Sequence, residues 1–283
     1  MASPPKTAFV FAGGGSLGAI QVGALAELVR AGVRPDFVVG ASVGALNACF
    51  YAAAPTAEGV AALELVWRAL KRQDVFPLTL RSALGVFGEG GSLFESQGLR
   101  HLIERRLPLK NLEDACLPVS VVATNLNGEL ITFSRGAAVD ALLASAAIPI
   151  AFPAVRIGEE CLMDAAIAGN TPLLTAVNMG ATRIFVLQTG YACALSKPPK
   201  GPIAPGFHAL TLLIANQMAR DLLLVEGKAD VHVTPQLCPL DVSPFNFEHS
   251  AALIARAGEA TRDWIGTGGL EQPSTLASVR HRH

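Results

Sequence analysis

A pattern that occurs twice between Thr7 and Ala53 constrains this chain most: a short apolar strand, a glycine turn, then the start of a helix. Ala8–Phe11 is an apolar run ending at glycines, and after Gly18 the positions Ile20, Ala24, Leu25, Leu28 and Val29 recur at helical spacing until Gly32 and Pro35. Phe37–Gly40 is a second apolar run, followed by a helix over Ala45–Ala53 bounded by Pro55. Two such units in succession lay strands side by side in a parallel sheet with helices on its faces. Further strands are expected at Val119–Thr124, Leu130–Phe133, Arg183–Leu187 and Val231–Thr234. The Asn127-Gly128 turn makes the first two of these a hairpin, so part of the sheet is antiparallel. Helices are expected at Ala57–Leu70, Gly98–Leu107, Val139–Ala147, Phe207–Val225 and Glu248–Ile265. Gln73–Ser96 has no assignable period and reads as a mobile cover over a site.

Apolar residues make up 51 % of the chain and charged residues only 16 %, against a usual charged share of about 25 %. A sheet covered on both faces has this composition, and so does a surface that meets lipid. A net charge of −1 without a basic stripe argues against a nucleic-acid partner. The five scattered cysteines have no metal-type spacing and suit a reducing compartment. Thr7–Ala26 carries no charge and is about one membrane span long, but five glycines interrupt it and only Lys6 precedes it as a basic residue. Strand, turn and helix explain it better than a spanning or leader segment, so the expected location is cytoplasmic.

Gly13-Gly14-Gly15-Ser16-Leu17-Gly18 matches the dinucleotide fingerprint through Gly13, Gly15 and Gly18. A nucleotide-binding oxidoreductase would also need an acidic residue at the end of the second strand. That strand runs into Gly40-Ala41-Ser42, with no carboxylate, and Asp36 stands at the wrong end. The alternative needs backbone alone: consecutive glycines let N–H groups converge at a helix start, which suits a developing oxyanion. Read alone, the loop also serves as a tight turn between strand and helix.

Gly40-Ala41-Ser42-Val43-Gly44 matches G-x-S-x-G between a strand and a helix. Such an elbow lifts the serine oxygen out of the sheet, and the residues two before and two after it must be small. A serine nucleophile needs a base. His101, His208 and His249 fall in helical patterns, His232 alternates within a strand, and His281 and His283 end the chain. Asp164 follows the short strand Cys161–Met163 and precedes small residues, which leaves it accessible yet partly desolvated. A turn aspartate bonding its own backbone has the same local signature.

Together these segments resemble the patatin-like phospholipase family. The loop Gly13–Gly18, the elbow Gly40–Gly44 and the segment Asp164–Pro172 occur in that family's order, and Ser145–Pro149 with Phe152-Pro153 and the region Phe247–Ile265 are similar too. The resemblance implies a three-layer α/β/α sandwich over residues 7–265 with a mostly parallel sheet; residues 266–283 read from their own sequence as a flexible tail. The resemblance also implies a Ser42–Asp164 dyad, an oxyanion hole at Gly13, Gly14 and Gly15, no metal or cofactor, and a lipid acyl ester substrate met in transient contact with a membrane surface. Two positions depart from the family. Leu17 stands where a cation is usual, which leaves neutral esters open as substrates. Ala165 stands where glycine is usual, and a turn needing positive φ there would shift the carboxylate. A catalytically weak lipid-binding or regulatory protein on the same fold is the alternative.

Overall fold

The structure, a computed structural model, describes residues 5–77, 92–190 and 204–276. Five parallel strands form the middle of the sheet: β1 (Thr7–Phe11), β2 (Phe37–Ala41), β3 (Val119–Asn125), β7 (Arg183–Leu187) and β8 (Asp230–Val233), in the order β3-β2-β1-β7-β8. Three antiparallel strands complete it: β4 (Leu130–Phe133) and β6 (Glu160–Met163) pair with β3, and β5 (Val155–Ile157) pairs with β6. The helices are α1 (Gly18–Arg30), α2 (Val43–Ala53), α3 (Ala57–Ala69), α4 (Arg72–Val75), α5 (Gln97–Arg106), α6 (Ala138–Ser145), α7 (Ala166–Gly169), α8 (Leu173–Asn178), α9 (Ala204–Val225) and α10 (Ser250–Gly266). Among the described residues, no helix is long and apolar enough to cross a membrane.

The apolar alternation in β1 divides the core into two. Phe9 and Phe11 face one side with Leu25 and Leu28 of α1, Tyr51 of α2, Leu63 of α3 and Leu253 of α10. Ala8 and Val10 face the other with Leu173 of α8 and Met218, Leu222 and Val225 of α9. Burying both faces of the strand gives the three-layer α/β/α sandwich. The central strands β1 and β2 are nearly continuous apolar runs because neither face meets water.

One local feature of the sheet positions everything that follows. A strand has two edges, and at Thr124 of β3 one edge is taken by Leu130 of β4. β6 also pairs at Thr124, through Met163, so it lies on the other edge, which β2 occupies earlier through Ala41 opposite Val122. β2 and β6 therefore approach each other along one line from opposite directions. Extending both registers by one residue brings Ser42 and Asp164 to the same place, opposite Ala123.

The short helices α4, α7 and α8, the strand β5 and the C-terminal segment differ from the sequence expectations. The β5 strand escapes a period-based reading because it has three residues. Residues 78–91 of the expected cover lie outside the described residues. The expected tail is docked as far as 276: Ser274 N–H donates to Val231 O (2.7 Å), Val233 N–H donates to Ser274 Oγ (2.9 Å), and Arg183 donates to Leu270 O (2.8 Å). The segment thereby covers the outer edge of β8, where unpaired backbone groups would otherwise recruit another chain. Truncation after Gly266 should lower Tm by roughly 5 °C or more and promote aggregation on heating. Truncation after Leu276 should do neither, as thermal denaturation followed by light scattering will show.

Candidate active site

Ser42 stands between β2 and α2 with φ 51° and ψ −126°. A non-glycine residue held there costs of order 1–3 kcal/mol and persists only where its surroundings enforce it. They do so on both sides. Its N–H donates to Ser145 Oγ at the end of α6 (2.7 Å), and its own Oγ donates to Asp164 Oδ2 (2.7 Å). The glycines two residues away are a matter of space. A Cβ on Gly40 would lie 2.5 Å from Ala45 Cα, and one on Gly44 would lie 2.5 Å from the Ala12 carbonyl oxygen.

Asp164 leaves the end of β6 only 1 % exposed, more buried than the sequence implied. The reason is the approach of β2 and β6 along a shared edge, which no local pattern reveals. Its Oδ1 accepts from Ala166 N–H (2.8 Å) and its carbonyl accepts from Thr124 Oγ1 (3.0 Å). Burial pushes its carboxyl up to about 6, and the bonds from Ser42 and Ala166 only partly offset that rise. Ala165 has φ −60°, so the turn after the aspartate accommodates alanine without strain and the carboxylate keeps its bond to Ser42.

The glycine loop touches the serine: a Cβ on Gly13 would lie 3.2 Å from Ser42 Cβ. Gly13 N–H donates to Asn170 O (3.0 Å), and Gly13 O accepts from Thr189 Oγ1 (2.7 Å) and Asn170 Nδ2 (3.3 Å). Gly13 is thus tied down on both sides, and its N–H is spent on the fold. Gly15 has φ 59°, a conformation that glycine adopts most readily. Among the described residues, the N–H groups of Gly14 and Gly15 have no acceptor. Leu17 lies in the main apolar core and is 4 % exposed, so that position points away from the site. Arginine there would bury a charge in the core and destabilise the fold.

Ser145, Asn170 and Thr189 are the polar groups that sequence reasoning left without roles. The first two lie within segments already notable, Ser145–Pro149 and Asp164–Pro172. Ser145 is a lone polar residue among small apolar ones, which was the available signal for it. Among the described residues, no histidine stands between Ser42 and Asp164, whose side chains bond directly. His101 and His249 are exposed, and the side chain of His208 and residues 281 and 283 lie outside the described residues. His232 is buried against Phe185, with Nδ1 3.0 Å from Gly269 O, and burial pushes its titration down.

An apolar cleft opens at Ser42. Its walls include Leu46 and Phe50 of α2, Leu63 and Trp67 of α3, Ile103 of α5, and Phe247. Asn47 also lines it, but its amide atoms are all bonded elsewhere. The arrangement provides a hydroxyl bonded to a buried carboxylate, a glycine loop that reaches the same cleft through Gly15, and an apolar slot leading away. It suits attack on a carbonyl that carries an alkyl chain. Among the described residues, no group of His, Cys, Asp and Glu is placed to hold a metal ion.

A family model described as patatin-like phospholipase matches residues 9–177. Patatin-like phospholipase domain-containing protein 6 of Homo sapiens is 27 % identical over 186 residues, which are 65 % of this chain and 13 % of that protein. An uncharacterized NTE family protein of Mycobacterium tuberculosis (strain CDC 1551 / Oshkosh) is 32 % identical over 164 residues, 58 % of this chain and 27 % of that protein. The chain thus spans about a quarter or less of the length of these relatives. Among solved structures, VipD of Legionella pneumophila aligns with 94 % of this chain and 67 % of its own, at 15 % identity and a TM-score of 0.47.

The buried carboxyl has a consequence for stability. Raising it from 3.8 to about 6 costs its ionised form about 3 kcal/mol at neutral pH. The folded protein takes up this proton as pH falls through 6, whereas the unfolded chain does so only near 4. The wild type therefore gains stability from this group between those limits and loses it again as pH rises. Asp164→Asn keeps an acceptor for Ala166 N–H and offers Ser42 Oγ a donor. Its Tm should exceed that of wild type at pH 8, with the difference shrinking towards pH 4. A variant less stable than wild type at pH 8 would contradict the assigned cost of burial.

Proposed function

The chain belongs to the patatin-like phospholipase family, and from that premise we propose that it is a serine acyl-ester hydrolase that releases a fatty acid from a lipid ester. The observation that carries the proposal is the 2.7 Å bond between Ser42 Oγ and Asp164 Oδ2 at the floor of an apolar cleft. In this reading Ser42 Oγ attacks the ester carbonyl while Asp164 accepts the hydroxyl proton. The carbonyl oxygen gains the negative charge, and the N–H groups of Gly14 and Gly15 hold it, with Gly13 fixing the turn. Collapse breaks the bond to the alcohol, which leaves with the proton from Asp164. Water then attacks the acyl-serine and gives a proton to Asp164. The second collapse restores the Ser42 hydroxyl and frees the fatty acid.

Asp164 suits a direct base. A carboxyl that titrates near 6 is mostly ionised at pH 7, and it is a better proton acceptor than one left at 3.8. The apolar cleft favours a substrate with an alkyl chain. With no cation from the glycine loop, neutral and anionic esters are treated alike by the loop itself. The proposal includes a cytoplasmic location and transient contact with a membrane surface, from which the chain takes an amphiphilic substrate.

Two measurements test the assignment. Ser42→Ala should stay folded, lose covalent labelling by a fluorophosphonate, and lose ester hydrolysis. Hydrolysis by that variant equal to wild type would refute the nucleophile. For wild type, kcat/KM on a p-nitrophenyl ester should fall about tenfold per pH unit below an apparent pKa near 6 and level off above it, because only the carboxylate accepts the proton. A profile that is flat down to pH 4 would exclude the raised carboxyl as the base.

A further inference from the structure

Behind the glycine loop lies a chain of buried polar side chains. Gln21 of α1 is 0 % exposed and Asn47 of α2 is 1 % exposed. Trp67 Nε1 of α3 donates to Asn47 Oδ1 (2.8 Å). Asn47 Nδ2 donates to Gly18 O (3.0 Å) and Gln21 Oε1 (2.8 Å). Gln21 Nε2 donates to Ala12 O (2.7 Å) and Leu187 O (2.8 Å). An indole N–H can only donate, so the Asn47 amide must turn its oxygen towards Trp67. That choice fixes the Gln21 amide in turn. The chain ends on three carbonyls: Ala12 O just before the glycine loop, Gly18 O at the start of α1, and Leu187 O at the end of β7.

The other end of the chain is the cleft wall. The Trp67 ring lines the cleft, stacks on Phe247 (6.2 Å between centroids, 18° between planes), and covers Gly18, where a Cβ would lie 2.9 Å from Trp67 Cζ2. We propose that Trp67, Asn47 and Gln21 are positioning residues that couple occupancy of the apolar cleft by an acyl chain to the placement of the Gly14 and Gly15 N–H groups. The inference rests on the hydrolase reading above. An alkyl chain lying on the indole fixes its tilt, and the tilt sets where the Nε1–H holds Asn47 Oδ1, and through Asn47 the place of Gln21 and of the carbonyls both amides grip. Chain length then improves turnover as well as binding, because contact remote from the ester is expressed in the transition state.

The test uses Trp67→Phe, which keeps an aromatic ring beside Phe247 but removes the Nε1–H. The readout is kcat and KM for p-nitrophenyl acetate, butyrate, hexanoate and octanoate. In wild type, kcat should rise and KM should fall along the series. In Trp67→Phe, the ratio of kcat for octanoate to kcat for acetate should drop about tenfold, while KM still falls with chain length and the pH midpoint of kcat/KM stays where it was. A uniform loss of kcat across the series would mean a merely structural role. A change confined to KM would mean a wall contact only, and either result overturns the proposal. If wild type and Ser42→Ala are equally inactive on every ester, the hydrolase reading fails on its own account. Amide hydrogen exchange then decides the coupling. Saturating decanol should slow exchange in the peptide covering 12–18 of wild type but not of Trp67→Phe, and equal protection in both would overturn it.

Discussion

β3 carries two strands on one edge, and the site depends on that sharing. β2 arrives parallel and stops at Ala41, opposite Val122; β6 arrives antiparallel and stops at Met163, opposite Thr124. Neither can continue, because each would run into the other. The residues at the two ends must leave the sheet at nearly the same point, and they are Ser42 and Asp164. The hydrogen bond between them thus follows from strand register. The hairpin β5–β6 holds Asp164 in line, and its loss would release the carboxylate without touching a residue of the site.

This meeting point concentrates unfavourable terms that the rest of the molecule sustains. Ser42 has a positive φ, and Asp164 is a carboxyl almost without solvent. Neither would persist in a loosely held loop. Ser145 fixes the Ser42 N–H, Thr124 fixes the Asp164 carbonyl, and Asn170 and Thr189 hold Gly13 from two further segments. These contacts join residues far apart in sequence, so the site forms only once the sheet is complete. The two cores on the faces of β1 supply the apolar burial that offsets the strain.

What a sequence reveals depends on how local its physical cause is. The elbow was legible because Gly40 and Gly44 answer to a steric demand two residues either side of Ser42, and the loop because Gly13–Gly15 sits between a strand and a helix start. The central strands were legible because burial on both faces makes them continuous apolar runs. The depth of Asp164 was hidden, since it depends on which edge of β3 its strand takes. The role of Ser145 was hidden for the same reason: its partner is more than a hundred residues earlier in the chain. The three-residue β5 gave no period to detect. The segment after Gly266 looked unstructured because its order comes from β8, which its own composition does not show.

The two departures from the family pattern are absorbed in different ways, and the difference explains what each position does. Ala165 takes an ordinary helical conformation at the start of α7, so the turn depends on the Asp164 Oδ1 bond to Ala166 N–H more than on a glycine. Leu17 is turned into the core beside α1, where a longer charged side chain would have to escape through packed apolar groups. The loop therefore meets the site with backbone alone. Its alignment has to come from behind, and the structure has two sources: Asn170 and Thr189 on Gly13, and the Gln21–Asn47 amides on Ala12 and Gly18. A buried network with every amide hydrogen used is the kind of support such a loop needs.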